Sequence, residues 1–260
     1  MLGSPLLVVY GFASDHGINL RDGDADLRLH SLNAIAAWPP YLSIFMVDLD
    51  LVREKLGSSV ISDVLDGMGL RSQAMDLGIR PLSEDMSTVG TAFTMLMADQ
   101  YDEGKDTFTL QFKAIDSLGR DDVMVVCSNG SNRAALWGEL LSTAATYRGA
   151  SGAVIDGLAR DVDLIKKMGF PVFCRGVRPI SSKGRLVAVD YNCPVEVGGV
   201  AVHPGDLVVA DLDGIVVAPR DVAEEVVQKA LDVVSRETMT RDELRRGAGL
   251  SQVYRKYGTV

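Results

Sequence analysis

The stretch "GAVIDGLARDVDLIKKMG", Gly152 to Gly169, decides how this chain folds. It reads as a strand running through a turn into a helix, and "PVFCRG" after it reads as the next strand. Strand, helix and strand in that order call for parallel strands joined by helical crossovers. A cation and an anion, Arg160 and Asp161, stand at the corner where the strand becomes the helix. A helix start leaves N–H groups unpaired and favours an Asp that can cap it, but it offers nothing to an Arg.

The same alternation extends upstream. "TVGTAFTML" reads as a strand, the segment from Asp106 with Phe108, Phe112 and Ile115 as a helix, and "VMVVC" as a strand. In "GELLSTAATYRG" a helix stacks Leu140 on Ala144 and Leu141 on Ala145, one turn apart, and closes at Gly149. Earlier still, Asp48 serves as N-cap to a short helix with Leu51, Val52 and Leu56 on one face and Gly57 as its stop. "SSVISDVLDGMG" is helical through Val60, Val64 and Met68 and ends at Gly69.

Downstream the style changes to short β runs, "RLVAVD", "CPVEV", "GVAV", "DLVVAD" and "GIVVAP", separated by Gly, Pro and Asp. These suggest an antiparallel meander, with a hairpin turning at Leu212–Gly214. Asp221 and Glu224 resemble a capping box for a helix carrying Val222, Val226, Val227, Ala230 and Val234. The polar tail "TRDELRRGAGLSQVYRKYG" adds one or two short helices. Residues 1–45 mix Gly, Asp and Pro without a sustained period and read as an extension or loosely docked arm, with Met46 an alternative start.

The chain has 260 residues, 47% hydrophobic and 23% charged, enough to bury a sizeable core. A net charge of −9 argues against a protein that binds by neutralising phosphates, so nucleic acid is not expected as a ligand. No run approaches the roughly 20 apolar residues of a membrane span, and the N-terminus lacks the charged lead of a signal peptide. Cys127, Cys174 and Cys193 are odd in number and widely spaced, which fits buried residues in a reducing cytoplasm rather than a disulfide framework or zinc site.

Nucleotide loops, zinc motifs and the serine-hydrolase elbow are absent from the sequence. Of the three histidines, His16 and His30 lie in the extension and His203 reads as a surface turn residue. Asp211 and Asp213 read as turn formers, since "ADLDG" lacks the rest of a calcium loop. Two strand-to-helix corners remain. In "VVCSNGSNRAALWGELL" a Gly/Asn/Ser-rich loop leads to a helix at Gly138, where the amides of Gly138, Glu139, Leu140 and Leu141 could seat a small carboxylate. Arg160 and Asp161 form the other corner, at the strand edge where ligands collect in such sheets. An Arg fork can hold a carboxylate or oxyanion, and the Asp can give one oxygen to Mg²⁺. The plainer alternatives are Asp161 as a simple N-cap, Arg160 in an ordinary salt bridge and Glu139 as a first-turn residue favoured by the helix dipole.

At these residues the sequence resembles the RraA-like family, which includes class II pyruvate aldolases such as 4-hydroxy-4-methyl-2-oxoglutarate/4-carboxy-4-hydroxy-2-oxoadipate aldolase. The matching pieces are "VISDVLDGMG", "IRPL" with "VGTAFTM", "NRAALWGELLSTAATYRGASGAVIDGLARDVDLIKKMGFPVFCRG", "VHPGDLVVADLDGIVVAP" and "YRKYG", spread over residues 46–260. The resemblance implies an α/β fold, a three-layer αββα sandwich of the swivelling β/β/α type with mixed parallel and antiparallel sheets. It also implies homotrimers or homohexamers with active sites between subunits.

In such enzymes the amides at the "WGELL" helix start bind the substrate carboxylate, the Arg matching Arg160 contacts the keto acid, and the Asp matching Asp161 ligates Mg²⁺, Mn²⁺ or another divalent cation. Glu139 stands where related aldolases can carry Asp. A neighbouring subunit contributes an acid, for which Glu237 and Glu243 are candidates. The implied function is a cytoplasmic metal-dependent lyase that cleaves a 4-hydroxy-2-oxo acid to pyruvate and decarboxylates oxaloacetate. The alternative is a protein-binding regulator of ribonuclease activity, as the family's name suggests. A menaquinone methyltransferase, sometimes attached to relatives, fits less well because no glycine-rich nucleotide loop is present.

Overall fold

The chain runs through α1 (Leu49–Lys55), α2 (Ser58–Gly67), β1 (Arg80–Pro81), β2 (Thr88–Asp99), α3 (Thr109–Asp116), β3 (Asp122–Cys127), β4 (Ala135–Trp137), α4 (Glu139–Arg148), β5 (Gly152–Ala159), α5 (Val162–Met168) and β6 (Val172–Val177). It continues through β7 (Leu186–Tyr191), β8 (Val195–Val197), β9 (Val200–Val202), β10 (Leu207–Ala210), β11 (Ile215–Ala218), α6 (Ala223–Arg245) and α7 (Leu250–Tyr257). The structure, a computed structural model, describes residues 47–102 and 106–258. The expected extension over residues 1–45, with His16, His30 and the alternative start Met46, lies outside the described residues.

Strands β2, β3, β5 and β6 are parallel, with β1 added antiparallel beyond β6. Their burial is nearly continuous, as befits strands covered on both faces. Strand β2 is long because it serves two neighbours on one edge: Thr88–Thr91 pair antiparallel with β10 and Met95–Asp99 with β7. A register shift between Leu96 and Met97 lets the second half turn away, so the mixed sheet curls. The β10–β11 hairpin closes as expected, with the Asp211 N–H donating to the Gly214 carbonyl at 3.0 Å.

Three apolar clusters follow from this curl. Met124, Ile155 and Cys174 point to the side of α3, α4 and α5. Val125, Val154 and Phe173 point the other way, onto β8, β9 and the inner faces of β10 and β11. The outer faces of β10 and β11 pack Val209 and Val216 against α1, α2 and α6. Asp211 secures this last layer from the turn: its carboxylate accepts the Ser58 N–H at 2.7 Å and the Ser58 hydroxyl at 2.6 Å, capping α2.

Several local expectations need correction. Strand β4 lies inside what reads as a loop, since polar "SNGSNR" hides the buried run Ala134–Trp137. The capping box at Asp221 and Glu224 does not form: Val222 is the N-cap of α6 and no side chain caps it. A turn of Pro219 to Val222 leads in instead, with Asp221 left in solvent near Arg220. Helix α6 continues through "TRDELR", so only α7 is a separate short helix in the tail. The helices expected around Phe112 and Leu140 form, with Leu140 75% exposed and Phe112 50% exposed.

Candidate active site

The two corners are neighbours because β4 pairs with the last residues of β5, Ala135 with Leu158 and Trp137 with Ala159. The Arg160 N–H donates to the Trp137 carbonyl at 3.0 Å, joining the exit of one strand to that of the other. Buried Trp137 fixes the start of α4: its Nε1–H donates to Ser142 Oγ at 2.9 Å, and that hydroxyl donates to the Gly138 carbonyl at 3.1 Å. A Cβ on Gly138 would lie 2.7 Å from Asp161 Oδ2 and 3.2 Å from Arg160 Cγ. A larger residue there would have to displace the Asp161 carboxylate and the Arg160 side chain.

Asp161 stands at the N-cap position of α5 yet makes no side-chain cap bond. Its backbone is left-handed, φ 59° and ψ 35°, a conformation that costs a non-glycine residue about 1 kcal/mol. The turn directs the carboxylate away from its own helix. Asp161 Oδ2 accepts the Glu139 N–H at 3.4 Å and lies 3.4 Å from Arg160 Nε. Both contacts are long, and both side chains are 39% exposed, so neither charge is consumed by the other. Asp161 is therefore not a simple cap of α5, and its pairing with Arg160 is an exposed, long contact.

The expected amides are also in place. The N-cap of α4 is Gly138, which has no side chain to cap the helix, so apart from the long Glu139 contact to Asp161 its first-turn N–H groups face the Arg160 corner without a side-chain partner. Glu139 offers its backbone to this junction, while its carboxylate accepts the Thr143 hydroxyl at 2.7 Å. A cavity of about 290 Å³ opens here, lined by Trp137, Gly138, Leu140, Leu141, Arg160 and Asp161 and facing Phe108 and Phe112 of the α3 region. A smaller hollow of about 210 Å³ on the other side of Arg160 and Asp161 contains Arg178.

A larger cavity, about 420 Å³, sits at the opposite ends of the strands around Arg53. Its charge is spent internally: Arg53 donates to Asp50, to Asp121, to the Val89 carbonyl and to the Ser151 hydroxyl. Size alone does not make it the site, since ligands in such sheets gather at the carboxyl ends of strands.

The remaining candidates divide clearly. His203 is 60% exposed in its turn, and Asp211 and Asp213 belong to the β10–β11 turn. The three cysteines are free, and burial pushes each thiol up. Of the two acids considered for a neighbouring site, Glu243 accepts from Lys256 and Tyr257, which hold it below its ordinary value. Glu237 has only a 3.9 Å contact to Arg241 and is the less committed. What the sequence concealed is Arg175, whose guanidinium donates to Asp156 and, through both terminal nitrogens, to Asp76. No spacing signals that three-way contact, because Asp76 lies 99 residues away.

Among the described residues, no group of three or more His, Cys, Asp or Glu is arranged to hold a metal. The donor set therefore does not suit zinc; a cation that keeps several waters, as Mg²⁺ does, needs as little as one protein carboxylate. Asp161, half open and loosely contacted, offers that carboxylate.

The family profile named RraA-like and described as Aldolase/RraA matches residues 58–217. Protein DlpA of Legionella pneumophila is 33% identical over 200 residues, 77% of this chain but 32% of DlpA, so the chain spans about a third of that relative. A Halalkalibacterium halodurans protein named "Putative 4-hydroxy-4-methyl-2-oxoglutarate aldolase" is 36% identical over 173 residues, covering 66% of this chain and 77% of the relative. The crystal structure of Streptomyces coelicolor RraAS2, described as an unusual member of the RNase ES inhibitor RraA protein family, aligns with a TM-score of 0.69 at 30% identity. That alignment covers 75% of this chain and 96% of RraAS2.

Proposed function

This chain belongs to the RraA-like family, and from that premise we propose that it is a class II lyase releasing pyruvate from a 4-hydroxy-2-oxo acid. The observation that carries the reading is Asp161, whose left-handed backbone turns its carboxylate from its own helix to the Glu139 N–H at the start of α4. The aldolase name of the Halalkalibacterium relative supports the same reading.

The N–H groups of Leu140 and Leu141, joined by that of Gly138 and by the Glu139 N–H shared with Asp161, seat the substrate carboxylate at a helix end that favours negative charge. The Arg160 guanidinium binds the keto side of the acid. When the bond between C3 and C4 breaks, its electron pair moves toward C2 and the keto oxygen becomes negative. Arg160 stabilises that charge as it develops. The 4-hydroxyl proton leaves as the distal fragment becomes a carbonyl compound, and C3 regains a proton to give pyruvate. Glu139, fixed by Thr143, would relay the proton through a water. Asp161 would hold the divalent cation, Mg²⁺ or Mn²⁺, which when bound supplies Lewis-acid polarisation of the substrate's oxygens. Loss of CO₂ from oxaloacetate builds up the same charge, so decarboxylation belongs to the same proposal. A trimer or hexamer in which Glu237 of one subunit reaches another's cleft completes it.

The test is pyruvate release from oxaloacetate and from 4-hydroxy-2-oxo acids, with Mg²⁺ and with chelator, in wild type and in Asp161→Ala. Turnover that needs the cation and vanishes in the variant is expected. A folded, Mg²⁺-supplied protein inactive toward every such acid would overturn the proposal and favour a protein-binding regulator, for which the −9 charge would suit a basic partner.

A further inference from the structure

The part of the cavity beyond Arg160 and Asp161 is apolar. Phe108 and Phe112 stack with ring centroids 5.3 Å apart and planes 6° from parallel, and both face the cavity. Leu140 and Leu141 line it from the first turn of α4. Phe112 is 50% exposed and Leu140 75% exposed, a cost in apolar surface that the packing of α3 and α4 does not itself demand. The cavity is also larger than a three-carbon acid requires. At about 30 Å³ per water-sized group, 290 Å³ has room for about ten, against the six heavy atoms of pyruvate.

The polar lining offers little to a second carboxylate. Gln111 is 1% exposed and spends its amide N–H on the Leu136 carbonyl at 3.0 Å. The Ser181 hydroxyl accepts the Lys183 N–H at 3.2 Å. Arg160 is the one Lys or Arg side chain lining the cavity among the described residues, and the 2-oxo acid head claims it. Another cation in this region is Arg178, in the smaller hollow that also contains Arg160 and Asp161, where Nη1 donates to the Asn132 carbonyl at 2.6 Å.

We infer that the physiological substrate is a 4-hydroxy-2-oxo acid whose C4 substituent is apolar, an aryl or alkyl group seated against Phe112, Phe108 and Leu140, and that Phe112 determines this specificity. The inference rests on the lyase reading above. A carboxylate in that position would lose water and meet no side-chain cation of its own, only the Ser181 and Ser182 hydroxyls, whereas a ring would stack on Phe112. The distal carbonyl product is then an aldehyde or ketone without a carboxylate, so the reaction supplying the substrate is an aldol addition that joins pyruvate to an apolar carbonyl compound.

The experiment compares kcat/KM of the Mg²⁺-supplied protein for oxaloacetate, for 4-hydroxy-2-oxoglutarate and for 4-hydroxy-2-oxo-4-phenylbutanoate. The phenyl acid should be preferred over the dicarboxylate by about tenfold or more, the scale of one or two methylenes in an apolar pocket. Phe112→Ala should erode that ratio mainly through KM, and Phe112→Arg should invert it. Equal or better cleavage of the dicarboxylate, lost in Arg178→Ala, would place the tail in the other hollow and overturn the inference while leaving the lyase standing. Absence of pyruvate from all three acids, oxaloacetate included, would overturn the lyase reading and the inference with it.

Discussion

Two arginine–aspartate pairs stand near the carboxyl ends of neighbouring strands β5 and β6, and they are built differently. Arg175 is saturated. Its terminal nitrogens donate to Asp76 at 3.1 and 2.8 Å, and its Nε donates to Asp156, whose side chain is 7% exposed. The two carboxylates push the Arg175 guanidinium further up, and the same hydrogen bonds hold Asp76 below its ordinary value. This pair ties the segment before β1 to the sheet. Arg160, in contrast, has a 3.4 Å contact to the carboxylate next to it and faces a cavity. A charge that the protein satisfies itself holds the fold together, while one left short of partners beside a helix start is, in the proposed reading, free to meet a ligand.

Substitutions can separate these roles, beginning with the largest effect. Arg175→Ala should destabilise the fold by about 3 kcal/mol, the low end for stranding a buried carboxylate, because Arg175 itself is partly exposed. Urea unfolding measures it, and restoration of stability by Asp156→Asn in the same background would identify the stranded charge as the cause. Arg160→Ala should leave that unfolding midpoint in place and lower kcat/KM for pyruvate release about a hundredfold, the scale of one lost oxyanion donor. If Arg160→Ala unfolds the protein as Arg175→Ala does, the distinction collapses.

Gly138→Ala should act on the site through geometry. Its methyl would meet Asp161 Oδ2 at 2.7 Å and push the carboxylate away, lowering turnover about tenfold, with a raised Mg²⁺ requirement and little change in melting temperature. The smallest effect concerns pH. Asp76 is depressed from 3.8 by the Arg175 hydrogen bond, so its contribution is present above 3.8 and fades as pH falls through the lower folded value. Asp76→Asn should therefore flatten the acid limb of melting temperature against pH below 3.8 and leave the limb unchanged in shape near neutrality. An unaltered acid limb would mean that the Arg175 pair contributes nothing in solution.

Much of the parallel core was legible because its signals are local. The apolar run Gly152–Ala159 followed by an Arg–Asp corner, and Gly149 with φ 86° closing α4, are set by residues near one another in sequence. The hairpin at Leu212–Gly214 was legible for the same reason. Strand β4 was not, since three residues carry too little periodicity to stand out after "SNGSNR". The failed capping box at Asp221 shows a sequence pattern overruled by the entering turn.

At the candidate site, the two corners that the fold brings together were legible and the orientation of their side chains was not. Asp161 fits the composition of an N-cap, and only its left-handed backbone reveals that it serves the neighbouring corner. The contacts of Arg175 depend on a partner 99 residues distant and leave no local trace. The outward turn of Phe112 and Leu140 is equally hidden, because helical spacing predicts faces without saying which one meets a cavity.

Calorimetric titration of pyruvate in the presence of Mg²⁺ tests the central claim most directly, comparing wild type, Arg160→Ala, Asp161→Ala and Arg175→Lys. Saturable binding to wild type that is lost in both Arg160→Ala and Asp161→Ala but kept in Arg175→Lys is the predicted result. Pyruvate binding of wild-type strength in both corner variants would contradict it.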